Sequence, residues 1–114
     1  MKKLVSVLLL AGLCFGVTTA QAKAWRNAPF AEVQQAAEQG DYFAQFRLGE
    51  MYAKGRGVAQ DHELAYVWYS VAAANDWGDA VAERDTAAKE LTPAVLADAQ
   101  TLAGEYFEKY QQKR

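Results

Sequence analysis

Cysteine is almost missing from this chain: Cys14 is the only one among 114 residues. Histidine also occurs once, as His62. One thiol and one imidazole cannot build the ligand sets that transition metals require, so no metal site and no cofactor is expected. No glycine-rich phosphate loop is present, and no serine or cysteine stands with a base and an orienting group in a recognisable pattern. We therefore assign no catalytic residue and do not expect an enzyme. Blocks of like charge are absent as well. With 12 basic and 14 acidic residues the formal net charge is −2, which argues against nucleic acid or an anionic membrane as partner. No segment reads convincingly as a β-strand.

The one long apolar run lies at the N-terminus. Lys2 and Lys3 precede an apolar stretch from Leu4 to Val17, and Thr18 to Ala22 then turns small and polar. This is the three-part layout of an export signal, with Ala20-Gln21-Ala22 fitting the small-x-small cleavage pattern. The stretch is shorter than the roughly 20 apolar residues of a spanning helix. Cleavage is expected after Ala22, with Ala24 the next-best site. Cys14 could be read as a lipid-attachment cysteine, but Leu13 stands where lipoprotein signals carry a small residue. The expected organisation is a signal peptide over 1–22 and one domain over 23–114. Removing the signal takes away Cys14, Lys2 and Lys3, which leaves a net charge of −4. The mature form is then periplasmic or secreted, with no membrane insertion.

Internal repetition organises what remains. Ala36-Ala37-Glu38-Gln39-Gly40-Asp41-Tyr42-Phe43-Ala44 has a counterpart in Ala72-Ala73-Ala74-Asn75-Asp76-Trp77-Gly78-Asp79-Ala80, 36 residues further on. That period is the length of one helix-turn-helix unit. Punctuation divides the chain into five helices. The first covers about 29–39 and stops at Gly40; the second covers about 42–54 and ends at Gly55-Arg56-Gly57. Asp61 is a good N-cap for the third, which carries Leu64, Ala65, Trp68, Tyr69, Ala72 and Ala73 on one stripe. The fourth covers about 78–91. The fifth opens at Thr92-Pro93, an N-cap followed by proline at the first helical position.

The stretch Ala44-x3-Leu48-Gly49-x2-Tyr52-x2-Gly55-x-Gly57-Val58-x2-Asp61-x3-Ala65-x2-Trp68-Tyr69-x2-Ala72-Ala73 resembles a Sel1-like repeat. The resemblance implies an all-α fold: a short α-solenoid of about five antiparallel helices, with one complete repeat flanked by partial ones. Asp76 departs from the pattern, since a glycine normally stands there; Asn75 can adopt the left-handed conformation and keep the turn. Arg84, Asp85 and Ala88 depart too, standing where leucine, glycine and tyrosine are expected.

Family resemblance also implies recognition through residues of the inner helices, as in tetratricopeptide proteins. Arg47, Glu50 and Lys54, at i, i+3 and i+7, are the candidates on the second helix. The plain alternative is a solvated ion-pair ladder worth a few tenths of a kcal/mol. Tyr42 and Trp77 occupy the turns of successive repeats, where they either pack between repeats or present aromatic surface to a partner. Asp76, Asp79 and Glu83 share one helix face, which suits a helix dipole better than a cation. The expected function is a module that binds a protein or peptide of the cell envelope, as an inhibitor or immunity-type protein, with weak homodimerisation as a further form of contact. The alternative is a binder or hydrolase of small molecules or glycans using Trp77, Asp76 and Asp79. Secreted Sel1-like proteins linked to β-lactams are cysteine-rich, which the mature chain is not.

If the signal reading holds, intact mass of protein recovered from the periplasm begins at Lys23 or within two residues of it. A product retaining residues 1–22, or lipid on Cys14, overturns it.

Overall fold

Helix starts follow the side chains that the sequence offers as caps. The computed structural model describes residues 28–111, so the signal segment, Cys14, the cleavage after Ala22 and Trp25 lie outside the described residues. The helices are α1 (Phe30–Glu38), α2 (Tyr42–Lys54), α3 (His62–Ala74), α4 (Gly78–Ala88) and α5 (Pro93–Lys109). Asp41 Oδ1 accepts from the Ala44 amide at 2.9 Å and opens α2. Asp61 does the same for Leu64 at 3.0 Å in α3, and the Thr92 hydroxyl for Val95 at 3.2 Å in α5. Each satisfies one amide left unpaired at a helix start. No strand occurs among the described residues.

The 36-residue period is written into the backbone. The Asp41 amide donates to Ala36 O and that of Gly40 to Ala37 O, each at 3.1 Å. One period later the Trp77 amide donates to Ala72 O at 3.1 Å, and that of Asp76 to Ala73 O at 3.0 Å. Gly40 takes φ 95° and Asp76 takes φ 66°. The left-handed residue is thus Asp76, and Asn75 instead sits at φ −97°. The reason is side-chain bonding: Asn75 Nδ2 donates to Val71 O at 3.1 Å and to Gln45 Oε1 at 3.2 Å, which holds it as the end of α3. Aspartate tolerates the left-handed region better than most residues. The same alignment shows that Trp77 matches Asp41, and Tyr42 matches Gly78. The two aromatics are one position out of step, and α4 has a tryptophan at its N-cap with no side-chain cap bond.

Packing follows chain order: α1 lies on α2, α2 on α3, and α3 on both α4 and α5. One apolar cluster joins Val33, Ala37, Ala44, Leu48, Met51, Trp68 and Val71; the other joins Ala65, Tyr66, Val67, Tyr69, Ala87, Ala99 and Ala103. Close approach depends on a missing side chain: a Cβ at Gly49 would lie 2.7 Å from the Tyr69 ring. Gly55 and Gly57, at φ 68° and 75°, turn the chain between α2 and α3. The closing helix packs its end on α3, where the Trp68 ring lies 5.3 Å from Tyr106 and 5.5 Å from Tyr110.

Gln45 is fully buried among these apolar groups. Its Nε2 donates to Ala37 O at 3.1 Å and to Tyr110 O at 3.2 Å, while its Oε1 accepts from Asn75. Leucine at this position fits the space but strands those partners. Gln45→Leu is expected to cost about 2–3 kcal/mol, since buried polar groups that lose their partners forfeit their desolvation energy. Urea unfolding checks this, and an unchanged midpoint contradicts it.

Burial is the main force raising the hydroxyl pKa of Tyr52, Tyr69 and Tyr106 above the ordinary 10.0. Each keeps its proton more tightly when folded. Their contribution to stability is therefore complete below the unfolded value and drains as pH rises past it. Urea midpoints followed from about pH 7 to about pH 11 should fall at the alkaline end, and less steeply in Tyr69→Phe.

Candidate functional site

The helix α2 has two working faces. Ala44, Leu48 and Met51 point into the core, whereas Phe43, Phe46, Arg47, Glu50 and Lys54 fall at i, i+3, i+4, i+7 and i+11 on another side. The start of α4 faces this second stripe. Between them lies an open groove of 470 Å³, lined by Phe43, Phe46, Arg47, Glu50, Arg56, Trp77 and Asp79. It is formed by the opening helices of two successive repeats.

One wall of the groove is aromatic. Trp77 meets Phe43 edge-on, ring centres 5.2 Å apart, and lies tilted against Phe46 at 6.0 Å. Phe46 continues the contact to Tyr69 at 5.6 Å. Trp77 therefore packs between repeats and also borders the groove. Its indole N–H is buried with no acceptor among the described residues. Tyr69 lies beneath: after burial, the carboxylates of Glu83 and Glu50 push its hydroxyl pKa further up, and Arg47 opposes them.

Charge lines the rim. Glu50 receives Arg47 at 3.4 Å and Lys54 at 3.9 Å, the ladder expected from their spacing. The Arg47 side chain is only 12% exposed, so its stem packs against the groove wall as well as carrying charge. Arg56 extends the rim from the turn after α2. Asp79 stands in the first turn of α4, where an acid complements the helix dipole. Among the described residues no group of three or more His, Cys, Asp or Glu side chains is placed to hold a metal ion, so Asp76, Asp79 and Glu83 do not gather into one.

Of the expected partner-binding residues, the fold brings Arg47, Glu50 and Trp77 into one groove. Lys54 joins them through Glu50. Tyr42, at 39% exposure, opens α2 outside the groove lining. Phe43, Phe46 and Arg56 were not legible as site residues. For the two phenylalanines a signal was available, because they share the helical spacing of Arg47 and Glu50. Arg56 follows α2 in the turn, and only folding brings it beside the stripe.

Residues 43–77, which form α2, the turn, α3 and the turn after it, match the Sel1 repeat family. A comparison with curated proteins finds no match. Among solved structures, the chain is similar to a protective antigen present in uropathogenic Escherichia coli strains displaying an SLR fold. The two are 38% identical with a TM-score of 0.68, over 71% of this chain and 18% of that one. This chain thus spans less than a fifth of the antigen's length. The matched repeat, the backbone period and the shared all-helical architecture agree, and the chain is a Sel1-like repeat protein.

Proposed function

We propose that this chain is a periplasmic or secreted interaction module that binds a protein or peptide of the cell envelope through the groove between α2 and α4. Sel1 repeats generally mediate protein–protein contacts, and this one leaves a groove open beside its matched repeat. The observation that carries the reading is the union of an aromatic wall and a charged rim at one concave place. Aromatic anchors supply most of the energy of an interface, and charges around them supply register. The three-part layout over 1–22, read as an export signal, supports an envelope location. No helix among the described residues is long and apolar enough to cross a membrane.

An inhibitor or immunity-type role is one form such binding takes. The open array also supports weak homodimerisation, because α1 and α4 each pack mainly on one neighbouring helix. A hydrolase reading draws on Trp77 and Asp79, which share the groove. Its second carboxylate, Asp76, is not part of the lining. We therefore keep binding as the function.

Changing Arg47 to methionine, which keeps the buried stem, and Glu50 to glutamine is expected to shift stability by less than about 1 kcal/mol, because the ion pair itself contributes little to folding. The same change should weaken capture of the partner from envelope extract by the tagged mature protein. Circular dichroism melts and pull-down yield on the same variants decide the matter. A preserved melt with preserved capture removes this face as the site. Turnover of a cell-wall or β-lactam substrate, lost on Asp79→Asn, replaces binding with catalysis.

A further inference from the structure

The 36-residue period matches α4 to α2 position by position. One side of α4 is kept. Ala80 and Ala87, which match Ala44 and Met51, are buried like them, and α4 packs on the helix before it, α3. The other side is changed. In α2, Gln45, Leu48, Gly49 and Tyr52 fall at i, i+3, i+4 and i+7, a single stripe of the helix. The helix that follows packs there: the Tyr69 ring lies against the bare backbone of Gly49, and Leu48 shares a cluster with Trp68 and Val71. The matching stripe of α4 is Val81, Arg84, Asp85 and Ala88. Gln45 is fully buried, whereas its counterpart Val81 is 43% exposed. Arg84 Nε and Nη2 both donate to Asp85 Oδ1, at 3.2 and 3.1 Å. The helix that follows α4 is α5, and it finds its main packing on α3.

We propose that α4 ends the array, and that the Arg84–Asp85 pair closes its outward stripe to a second copy of this chain. Helical repeats stack because the far side of one unit fits the near side of the next, so an open end invites copies to add head to tail. Such a contact does not close on itself and builds fibres. At α4 an arriving helix meets a carboxylate where α2 offers no side chain. It must also strip water from two charges, a cost that an apolar face does not return. The pair joins adjacent, partly exposed side chains and so contributes little to folding. Its effect falls on what approaches Val81 and Ala88, the apolar members of the stripe. This assignment does not rest on the groove, which lies on the side of α4 that carries Asp79. Weak homodimerisation then falls to surfaces other than this stripe.

Sedimentation velocity over a range of concentrations tests this on the mature chain and three variants, with circular dichroism to confirm that each is folded. Arg84→Leu with Asp85→Ala opens the stripe, and is expected to make self-association about tenfold tighter than in the wild type. Glu83→Leu with Thr86→Ala makes the same apolar gain on the opposite side of α4, and is expected to leave association as it was. Val81→Glu adds a third charge to the stripe of the otherwise unchanged chain, and is also expected to change nothing. Association of the opened variant no tighter than that of the wild type overturns the proposal. So does equal tightening by the Glu83 and Thr86 changes, which traces the effect to apolar surface in general. Val81→Glu keeps the question open to refutation even if the opened variant fails to fold. A weaker association in that variant shows that the stripe is already a contact between copies, and the proposal falls.

Discussion

The carboxamide of Gln45 is the point on which the arrangement of the helices depends. Three helix ends converge here, two through a backbone carbonyl and the third through the Asn75 side-chain amide. Gln45 donates to Ala37 O near the end of α1 and to Tyr110 O just past the end of α5. It accepts from Asn75, the residue that ends α3. A primary amide has two hydrogens and one oxygen to offer, and all of these are used. An apolar residue could fill the volume but could not specify which helix ends meet. The bond to Tyr110 spans 65 positions of sequence and ties the closing helix to the opening repeat.

Aromatic packing builds outward from that polar centre on two sides of the chain. On one side Trp68, Tyr106 and Tyr110 lie ring against ring and hold α5 on α3. On the other, Tyr69 passes against the bare backbone of Gly49 and continues to Phe46 and Trp77. Adjacent residues of α3, Trp68 and Tyr69, thus serve the two clusters. The first closes the array; the second ends in the groove. The two aromatic groups share no ring contact, and only the adjacency of Trp68 and Tyr69 in α3 relates them.

The division within α2 has the same logic. Ala44, Leu48 and Met51 face the core, and Tyr52 packs against Phe30 of α1, whereas Phe43, Phe46, Arg47 and Glu50 line the groove toward the start of α4. The N-cap of α4 is where the repeats diverge most in chemistry. Asp41 caps α2 with its own carboxylate, whereas its counterpart Trp77 gives no cap bond and instead contributes a ring to the groove. A cap worth on the order of 1 kcal/mol is replaced there by aromatic contact with the preceding repeat. The related antigen has a much longer chain, of which this protein spans 18%.

Read alone, the sequence determined the local matters. Caps at Asp41, Asp61 and Thr92, stops at Gly40 and Gly55, and the 36-residue period depend on neighbouring residues and on backbone preference, so the five helices and the repeat were legible. The ladder of Arg47, Glu50 and Lys54 was legible for the same reason, since helical spacing alone sets it. Tertiary structure decided the rest. Gln45 reads as an ordinary polar residue on an amphipathic helix, because its partners come from three other segments. Asp76 took the left-handed position in place of Asn75 because Asn75 was claimed by a bond to Gln45. Arg56 and Asp79 became parts of one groove only when packing on α3 brought the start of α4 beside α2. Contacts between distant segments depend on how helices stack, and that is set by summed packing and the pairing of buried polar groups, which no local pattern encodes.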